Sequence, residues 1–364
     1  MPIVEESGPS CTLSVMSYNV LSSSYAAPKM YPYCPKEYLD WETRGQSIIN
    51  EINDYECDVI CLQEVEMEAF LGFFSPKLEI KGYIGIFAPK SRARTMSDTK
   101  RRLVDGCAIF WKTEKFTLVS QQLIEFNQLA IKNNAGCKDM LNRVMTRDNI
   151  GLFAVLKTTA AAWQDGLPKK SSDVEQLILV ANTHLHWNPE FCDVKVLQAM
   201  MLAREIERML ETVSSVSEQT DNKTFASSDI KLLLCGDFNS KTDSGVYEFL
   251  TQGQLAIDHP DFRNLDYKKA VNTIFGNPES AEVVHHSLNL SSACPEEYMP
   301  YTNYTYDFRA MIDFVFYGTS NMRPIGFYGP IHDQWFQDNM IVGCPNRHIP
   351  SDHFPLVVHF KMVT

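Results

Sequence analysis

At six places in the sequence, polar side chains able to do chemistry stand in or at the ends of apolar runs. Strand ends are where side chains leave a sheet and converge at one rim. Ser17-Tyr18-Asn19 closes the first run, and Val59-Ile60-Cys61-Leu62 delivers Gln63 and Glu64. A carboxylate in that position is costly unless it is paired or holds a metal, an ordinary water-facing strand-end glutamate being the plain alternative. After Leu177–Val180 come Asn182, His184 and His186. If the strand continues, the two histidines share a face. They then form half of a zinc site, although no third nitrogen or sulfur ligand lies nearby in sequence, or simply a satisfied histidine pair. Leu232-Leu233-Leu234 leads into Cys235-Gly236-Asp237-Phe238-Asn239-Ser240. Here Gly236 relieves crowding at the strand end, and Asp237 and Asn239, two apart, can point into one pocket. Asp313 sits inside the apolar run Met311–Phe316 and needs a buried partner, while Ser351-Asp352-His353 puts a carboxylate and a titratable ring in one turn.

Glu64, Asp352, Asn19 and Asn239 offer oxygen ligands, Asp237 and Asp313 add carboxylates, and His184 and His353 add imidazoles. Carboxylate and amide oxygens without thiolate suit a hard ion, Mg2+ or Mn2+. Such an ion polarises phosphorus and stabilises a leaving oxygen, so the combination points to metal-assisted hydrolysis of a phosphate ester.

The elements that must position these groups are legible as apolar runs of strand length: 13–18, 58–62, 83–87, 107–111, 116–126, 151–158, 176–183, 231–235, 312–317 and 354–360. Two helices are predicted. One spans about Lys36 to Ile52 with Ile48, Ile49 and Ile52 on one side. The other runs from Asp193, taken as N-cap, to about Val213, burying Leu197, Met201, Ile206 and Met209. Many strands with few helices predict mixed sheets covered by helices rather than regular βαβ alternation. Residues 160–173 and 214–229 are polar and are read as surface loops. Because strands on both sides share one character, residues 12–364 are expected to form a single domain behind an N-terminal tail, 1–11.

The 364 residues are 45% hydrophobic and 21% charged, which excludes fibrous and wholly disordered classes. A net charge of -12 excludes holding nucleic acid by bulk electrostatics, so phosphate chemistry must rest on a local site. Ten cysteines without a Cys-x-x-Cys pair read as core thiols of a reducing compartment. No run is long enough to span a membrane and no secretory signal opens the chain, so an intracellular protein is expected.

The ordered series Ser17-Tyr-Asn19-Val-Leu, Leu62-Gln-Glu64-Val, Asn182-Thr-His184-Leu, Gly236-Asp237-Phe-Asn239-Ser, Ile312-Asp313-Phe and Ser351-Asp352-His353-Phe-Pro resembles the endonuclease/exonuclease/phosphatase superfamily. The resemblance covers nearly the whole chain from about Thr12. It implies an α/β fold like that of DNase I, two mixed β-sheets packed face to face as a four-layer sandwich flanked by helices. Within the superfamily, Tyr31-Pro-Tyr-Cys-Pro35, Asp40-Trp41-Glu42-x-Arg44, Asp105–Phe110, Leu141–Met145, His186-Trp-Asn-Pro-Glu190 and Pro300–Thr305 resemble the carbon-catabolite-repressor branch of poly(A) deadenylases. Nocturnin-like and angel-like relatives share some of these stretches.

This resemblance implies a Mg2+-dependent enzyme, Mn2+ substituting, that removes adenylate 3'-to-5' from the poly(A) RNA of messenger tails and releases 5'-AMP in the cytoplasm, the nucleus remaining open. Glu64 is then the principal metal ligand with Asn19 and Asp352 nearby. Asp237 orients or deprotonates water, and Asn239 holds a phosphate oxygen or assists a second metal. His184 and His353 stabilise developing charge, with Asp313 fixing the ring of His353. Phe308 is the expected adenine-stacking ring, with Pro189 and Asn303 as neighbours, core packing being its alternative. The basic runs Lys90–Arg94 and Lys100–Arg102 are read as solvated loop in preference to an RNA guide. Proteins of this branch usually dock on scaffold subunits of a deadenylase complex through a preceding leucine-rich-repeat region, which is expected to be absent from this chain; no membrane partner is expected. The alternatives are a related phosphoesterase acting on 2',5'-oligoadenylate, a nucleotide cofactor or a phosphoinositide, and an inactive poly(A)-binding module.

Overall fold

A computed structural model describes residues 9–220 and 226–363. In chain order the strands are β1 (Ser10–Asn19), β2 (Val59–Glu66), β3 (Tyr83–Pro89), β4 (Asp105–Lys112), β5 (Phe116–Glu125), β6 (Ile150–Thr158), β7 (Trp163–Gln164), β8 (Leu177–His184) and β9 (Lys231–Asp237). They continue with β10 (Gln254–Ala256), β11 (Val283–His285), β12 (Leu290–Ser292), β13 (Asn303–Tyr304), β14 (Arg309–Ala310), β15 (Asp313–Gly318), β16 (Met322–Phe327) and β17 (Leu356–Met362). All ten apolar runs lie on strands, each with ends shifted by a few residues.

Two large sheets carry the architecture, one ordered β16-β17-β1-β2-β4-β3 with β7 beside β1, the other β12-β15-β9-β8-β6-β5. Each holds one parallel pair at its centre, β1 with β2 and β8 with β9, among antiparallel neighbours. A strand buried on both faces reads as a continuous apolar run, and β2 shows why. Its Val59 and Cys61 join the core between the sheets, while Ile60 and Leu62 face the layer formed by the helix Trp41–Tyr55 and Phe70, Phe74 and Leu78. The helix Cys192–Thr220 packs its predicted stripe, Leu197, Met201, Ile206 and Met209, on the other side of the sandwich.

The two sheets are pinned together at their centre by a polar residue. Asn182 Nδ2 donates to the carbonyls of Leu62 and Ala108, both at 2.9 Å, and its Oδ1 accepts from Gln63 Nε2 at 2.8 Å. Unpaired, such a buried amide would cost about 1–3 kcal/mol for each abandoned group, so facing register is fixed where these bonds are made.

Three expectations are corrected. Asp193 is not an N-cap: it lies inside the helix, fully buried, and binds Arg143 through both oxygens at 2.7 and 2.8 Å and the Tyr267 hydroxyl at 2.7 Å. The segment 160–173 is not all surface, because Trp163 pairs with Cys11 of β1 and is buried. Of the second predicted loop, 214–220 is helical, 227–229 forms a 3-10 turn, and 221–225 lie outside the described residues. All ten cysteines are free thiols, eight of them buried. Among the described residues no helix is long and apolar enough to cross a membrane.

Candidate active site

The two central parallel pairs end at the same rim, and their last residues supply most of the chemistry. β1 ends in Asn19, β8 in His184 and β9 in Asp237, with His184 paired to Asp237 in register. β2 reaches the rim through a bulge between Leu62 and Val65. The extra residue turns Gln63 inward to Asn182 and puts Glu64 at φ 58°, a left-handed conformation that non-glycine residues adopt rarely and mostly where structure around them enforces it. Gly236 is needed where β9 meets β8: at its φ of 153°, a Cβ would stand 2.1 Å from the Thr183 carbonyl oxygen.

Around Asp237 the groups converge. Its Oδ2 accepts from Asn19 Nδ2 at 2.9 Å and lies 3.6 Å from Nε2 of both His184 and His353. Its Oδ1 accepts from the Asn239 amide at 2.9 Å. His353 is locked from behind, with Nδ1 2.7 Å from Asp313 Oδ2, an oxygen that also accepts from Thr302 Oγ1 at 2.6 Å. Asp313 therefore has the buried partner its sequence position demanded. Asn19 Nδ2 also reaches Glu64 Oε1 at 3.2 Å, and the Ser22 amide binds Glu64 Oε2 at 2.9 Å. Asp352 Oδ2 accepts from the Tyr31 hydroxyl at 2.8 Å and from Asn303 Nδ2 at 3.3 Å, whereas Asp352 Oδ1 is buried without a hydrogen-bond partner. Asn239 turns its Nδ2 to the Leu185 carbonyl at 3.1 Å.

The electrostatics divide the two imidazoles. Burial pushes His184 down to about 4, so its ring is neutral near neutral pH. Burial works against a charged His353 as well, but Asp313 and then Asp237 outweigh it and hold its pKa well above the usual value. Asp237 is raised, by burial first and by Asp313 next. Glu64 is pushed up to about 7 by enclosure and by the charges of Asp105 and Asp352, against the pull of Lys90. Carboxylates that disfavour one another's charge, together with a buried orphan oxygen on Asp352, are the environment an oxygen-bound cation relieves. Asp237, Asp313 and His353 form a second group whose donor atoms all lie within 4.8 Å of one another.

Sequence reasoning missed the cationic flank. Lys90 is buried, not solvated loop: it sits 2.7 Å from Asp105 Oδ2, and Arg92 bridges Asp105 and Asp148 at 2.6 Å each. Lys90 and its neighbours hold Asp105 down to about 2 despite burial. Asp105 opens an apolar strand, the same signal that drew attention to Glu64. His186 turns its ring edge-on to Phe191 at 5.3 Å with Nε2 buried and unpartnered, and among the described residues the group of three ligating side chains found, Asp237, Asp313 and His353, includes neither His184 nor His186. Pro189 is exposed at the start of a 3-10 turn. Phe308 is 44% exposed on the β13–β14 hairpin, outside the aromatic cluster of Tyr304, Phe336 and Phe354, so core packing claims Tyr304 of this loop and leaves Phe308 at the surface. Asn303 is buried, bridged to His353 and bonded to Asp352.

A profile described as the Endonuclease/Exonuclease/phosphatase family matches residues 16–353. The chain belongs to that family. The family resemblance carried by the six motifs is thereby borne out, as is the two-sheet fold it implied. CCR4-NOT transcription complex subunit 6-like-A of Xenopus laevis is 44% identical over 359 residues, 97% of this chain and 64% of that protein. The CCR4-Not complex 3'-5'-exoribonuclease subunit Ccr4 of Mycosarcoma maydis is 39% identical over 362 residues, 96% of this chain and 50% of that protein. The chain thus spans between half and just under two thirds of the length of these curated relatives. Among solved structures, that of ANGEL2, a 2',3'-cyclic phosphatase in complex with adenosine-2',3'-vanadate, superposes with a TM-score of 0.72 at 27% identity, covering 98% of this chain and 97% of that one.

Proposed function

We propose that the chain is a Mg2+-dependent 3'-to-5' exoribonuclease that removes adenylate from the poly(A) tails of messenger RNA, releasing 5'-AMP, within a cytoplasmic deadenylase complex and as a single domain over residues 12–364. The observation that carries the reading is the Asp237 carboxylate, held between one neutral and one cationic imidazole and joined through Asn19 to Glu64. The relative at 39% identity is named a 3'-5'-exoribonuclease subunit, which supports RNA as the substrate class and the direction of attack.

Glu64, Asp352 and the Asn19 carboxamide would hold the ion. When bound it supplies Lewis-acid stabilisation of the phosphate and of the leaving 3'-oxygen. Asp237, with raised basicity, fits the task of taking the proton from an attacking water as its oxygen bonds to phosphorus and the bond to the penultimate 3'-oxygen breaks. His353, a cation fixed by Asp313, meets charge developing on the phosphate, and neutral His184 donates a hydrogen bond to it. Asn239, braced on Asp237 and Leu185, lines the same rim as a contact for phosphate.

The reading is tested by offering the protein and Mg2+ an RNA with a 3'-adenylate tail beside a 2',5'-oligoadenylate, a phosphoinositide and an RNA ending in a 2',3'-cyclic phosphate. The last substrate is included because of the likeness to ANGEL2. Stepwise release of 5'-AMP from the first alone is expected; turnover confined to any other substrate overturns the assignment. Activity is expected to vanish on chelation, to return with Mg2+ or Mn2+, and to be suppressed by Ca2+, a larger ion that accepts irregular coordination. Zinc retained at one equivalent through dialysis against chelator in active protein would contradict the oxygen-ligand reading.

Phe308, exposed on its hairpin and tied at its backbone to Thr305, is the proposed platform for the terminal adenine, with Pro189 and Asn303 as proposed further contacts for the base. Phe308→Ala is expected to lose about 1–3 kcal/mol of substrate stabilisation on poly(A) while cleaving a small phosphodiester without a base as the parent does. Equal losses on both substrates, with a lowered melting temperature, would make Phe308 structural instead.

A further inference from the structure

Arg44 takes no step in the mechanism above, yet it heads the largest fully buried side chains, at 1% exposed. All four of its hydrogen bonds go to backbone carbonyls: Nε to Leu39 at 3.1 Å, Nη1 to Val20 at 3.1 Å and Pro350 at 3.2 Å, and Nη2 to Leu21 at 2.8 Å. None of these acceptors is a carboxylate, and a buried cation with only neutral acceptors is costly to maintain. The acceptors say what it is for. Val20 and Leu21 follow Asn19 directly, and the Leu21 amide binds Asn19 Oδ1 at 3.0 Å, setting that carboxamide. One residue on, the Ser22 amide binds Glu64. Pro350 precedes Ser351, whose Oγ donates to the Asn19 carbonyl at 2.7 Å, and then Asp352. A planar fork with fixed donor directions can hold two such segments at once, which the point charge of a lysine cannot.

We propose that Arg44 is a positioning residue for the metal centre, its guanidinium clamping the Asn19 and Asp352 segments together so that the oxygen donors are arranged before the ion arrives. The inference rests on the reading of Glu64, Asn19 and Asp352 as the residues that hold the cation. It concerns geometry and not charge, since a buried positive charge by itself disfavours a nearby cation.

The test is calorimetric titration of Mg2+ into metal-free full chain without RNA, for the parent, Arg44→Lys and Arg44→Met, each with a thermal melt. Both variants are expected to bind Mg2+ about tenfold or more weakly, the range typical when a residue supporting metal ligands is lost. Turnover should recover as Mg2+ is raised, with KM for RNA at saturating Mg2+ within about threefold of the parent, as positioning confined to the ion requires. A folded variant with parental Mg2+ affinity overturns the clamp, and tighter binding by Arg44→Met shows that charge governs instead. If both variants fail to fold, Ser351→Ala removes the second tie between the same segments, and parental affinity there overturns the proposal. A parent that binds no Mg2+ refutes the metal reading itself, whereas a binding parent with unaffected variants refutes only the role of Arg44.

Discussion

Glu64→Ala is expected to lower hydrolysis of a 3'-adenylated RNA on the order of a thousandfold, about 4 kcal/mol of barrier, while leaving the fold intact. The residue is the one carboxylate delivered by the β2 bulge, and both its oxygens are already oriented by Asn19 and Ser22, so the loss is of a prepared ligand and not of core volume. Removing it also removes a charge that Asp105 and Asp352 disfavour, so the metal-free variant should melt at or above the parental temperature. Steady-state rates at saturating Mg2+ and a thermal melt decide the matter. A folded variant within about tenfold of the parent, roughly 1.4 kcal/mol, would mean that another residue is the main ligand.

Asp237→Asn is expected to have an effect of similar size by a different route, a loss of about a hundredfold to ten-thousandfold in kcat, the range general-base catalysis commonly supplies. The amide is nearly isosteric and preserves the contact area beside His184 and His353, but it cannot accept the proton of water. Because Asp237 is assigned to the water and not to the ion or the base, KM for RNA and Mg2+ affinity should stay close to parental. A variant whose Mg2+ affinity collapses as in Glu64→Ala would reassign Asp237 to the metal.

What could be read from sequence follows from how each residue earns its place. Most of the ten long strands are buried on one or both faces, so burial wrote itself into composition, whereas β5 is exposed along its middle and was legible from its apolar and β-branched residues. β16 escaped because Pro324 and Gly326 break its run and most of its residues stay in contact with solvent, and β13 and β14 because two residues make no periodicity. Glu64 and Asp237 stood out as carboxylates at the ends of apolar runs. Asp105 carries the same signature, but its meaning depends on Lys90 and Arg92, which arrive from a preceding segment through tertiary pairing. Arg44 stood out only as one residue of the Asp40-Trp41-Glu42-x-Arg44 resemblance, and its role was not legible, since its partners are carbonyls, and every residue has one. Asp193 suited an N-cap by type and place, yet a buried ion pair with Arg143 claimed it first.

The last strand, Leu356–Met362, lies inside its sheet, between β16 and β1, and directly follows Asp352 and His353. During synthesis, therefore, the ribosome must release that strand before β1 gains its partner along residues 11–17 and before the rim gains its cationic imidazole. Until then the nascent chain carries an open, apolar strand edge, the feature that invites pairing with other chains. Pairing so distant in sequence also closes slowly. The unfinished polypeptide thus lacks the completed rim and is open to pairing with other chains, and under the proposed function its activity can appear only after this segment has been made.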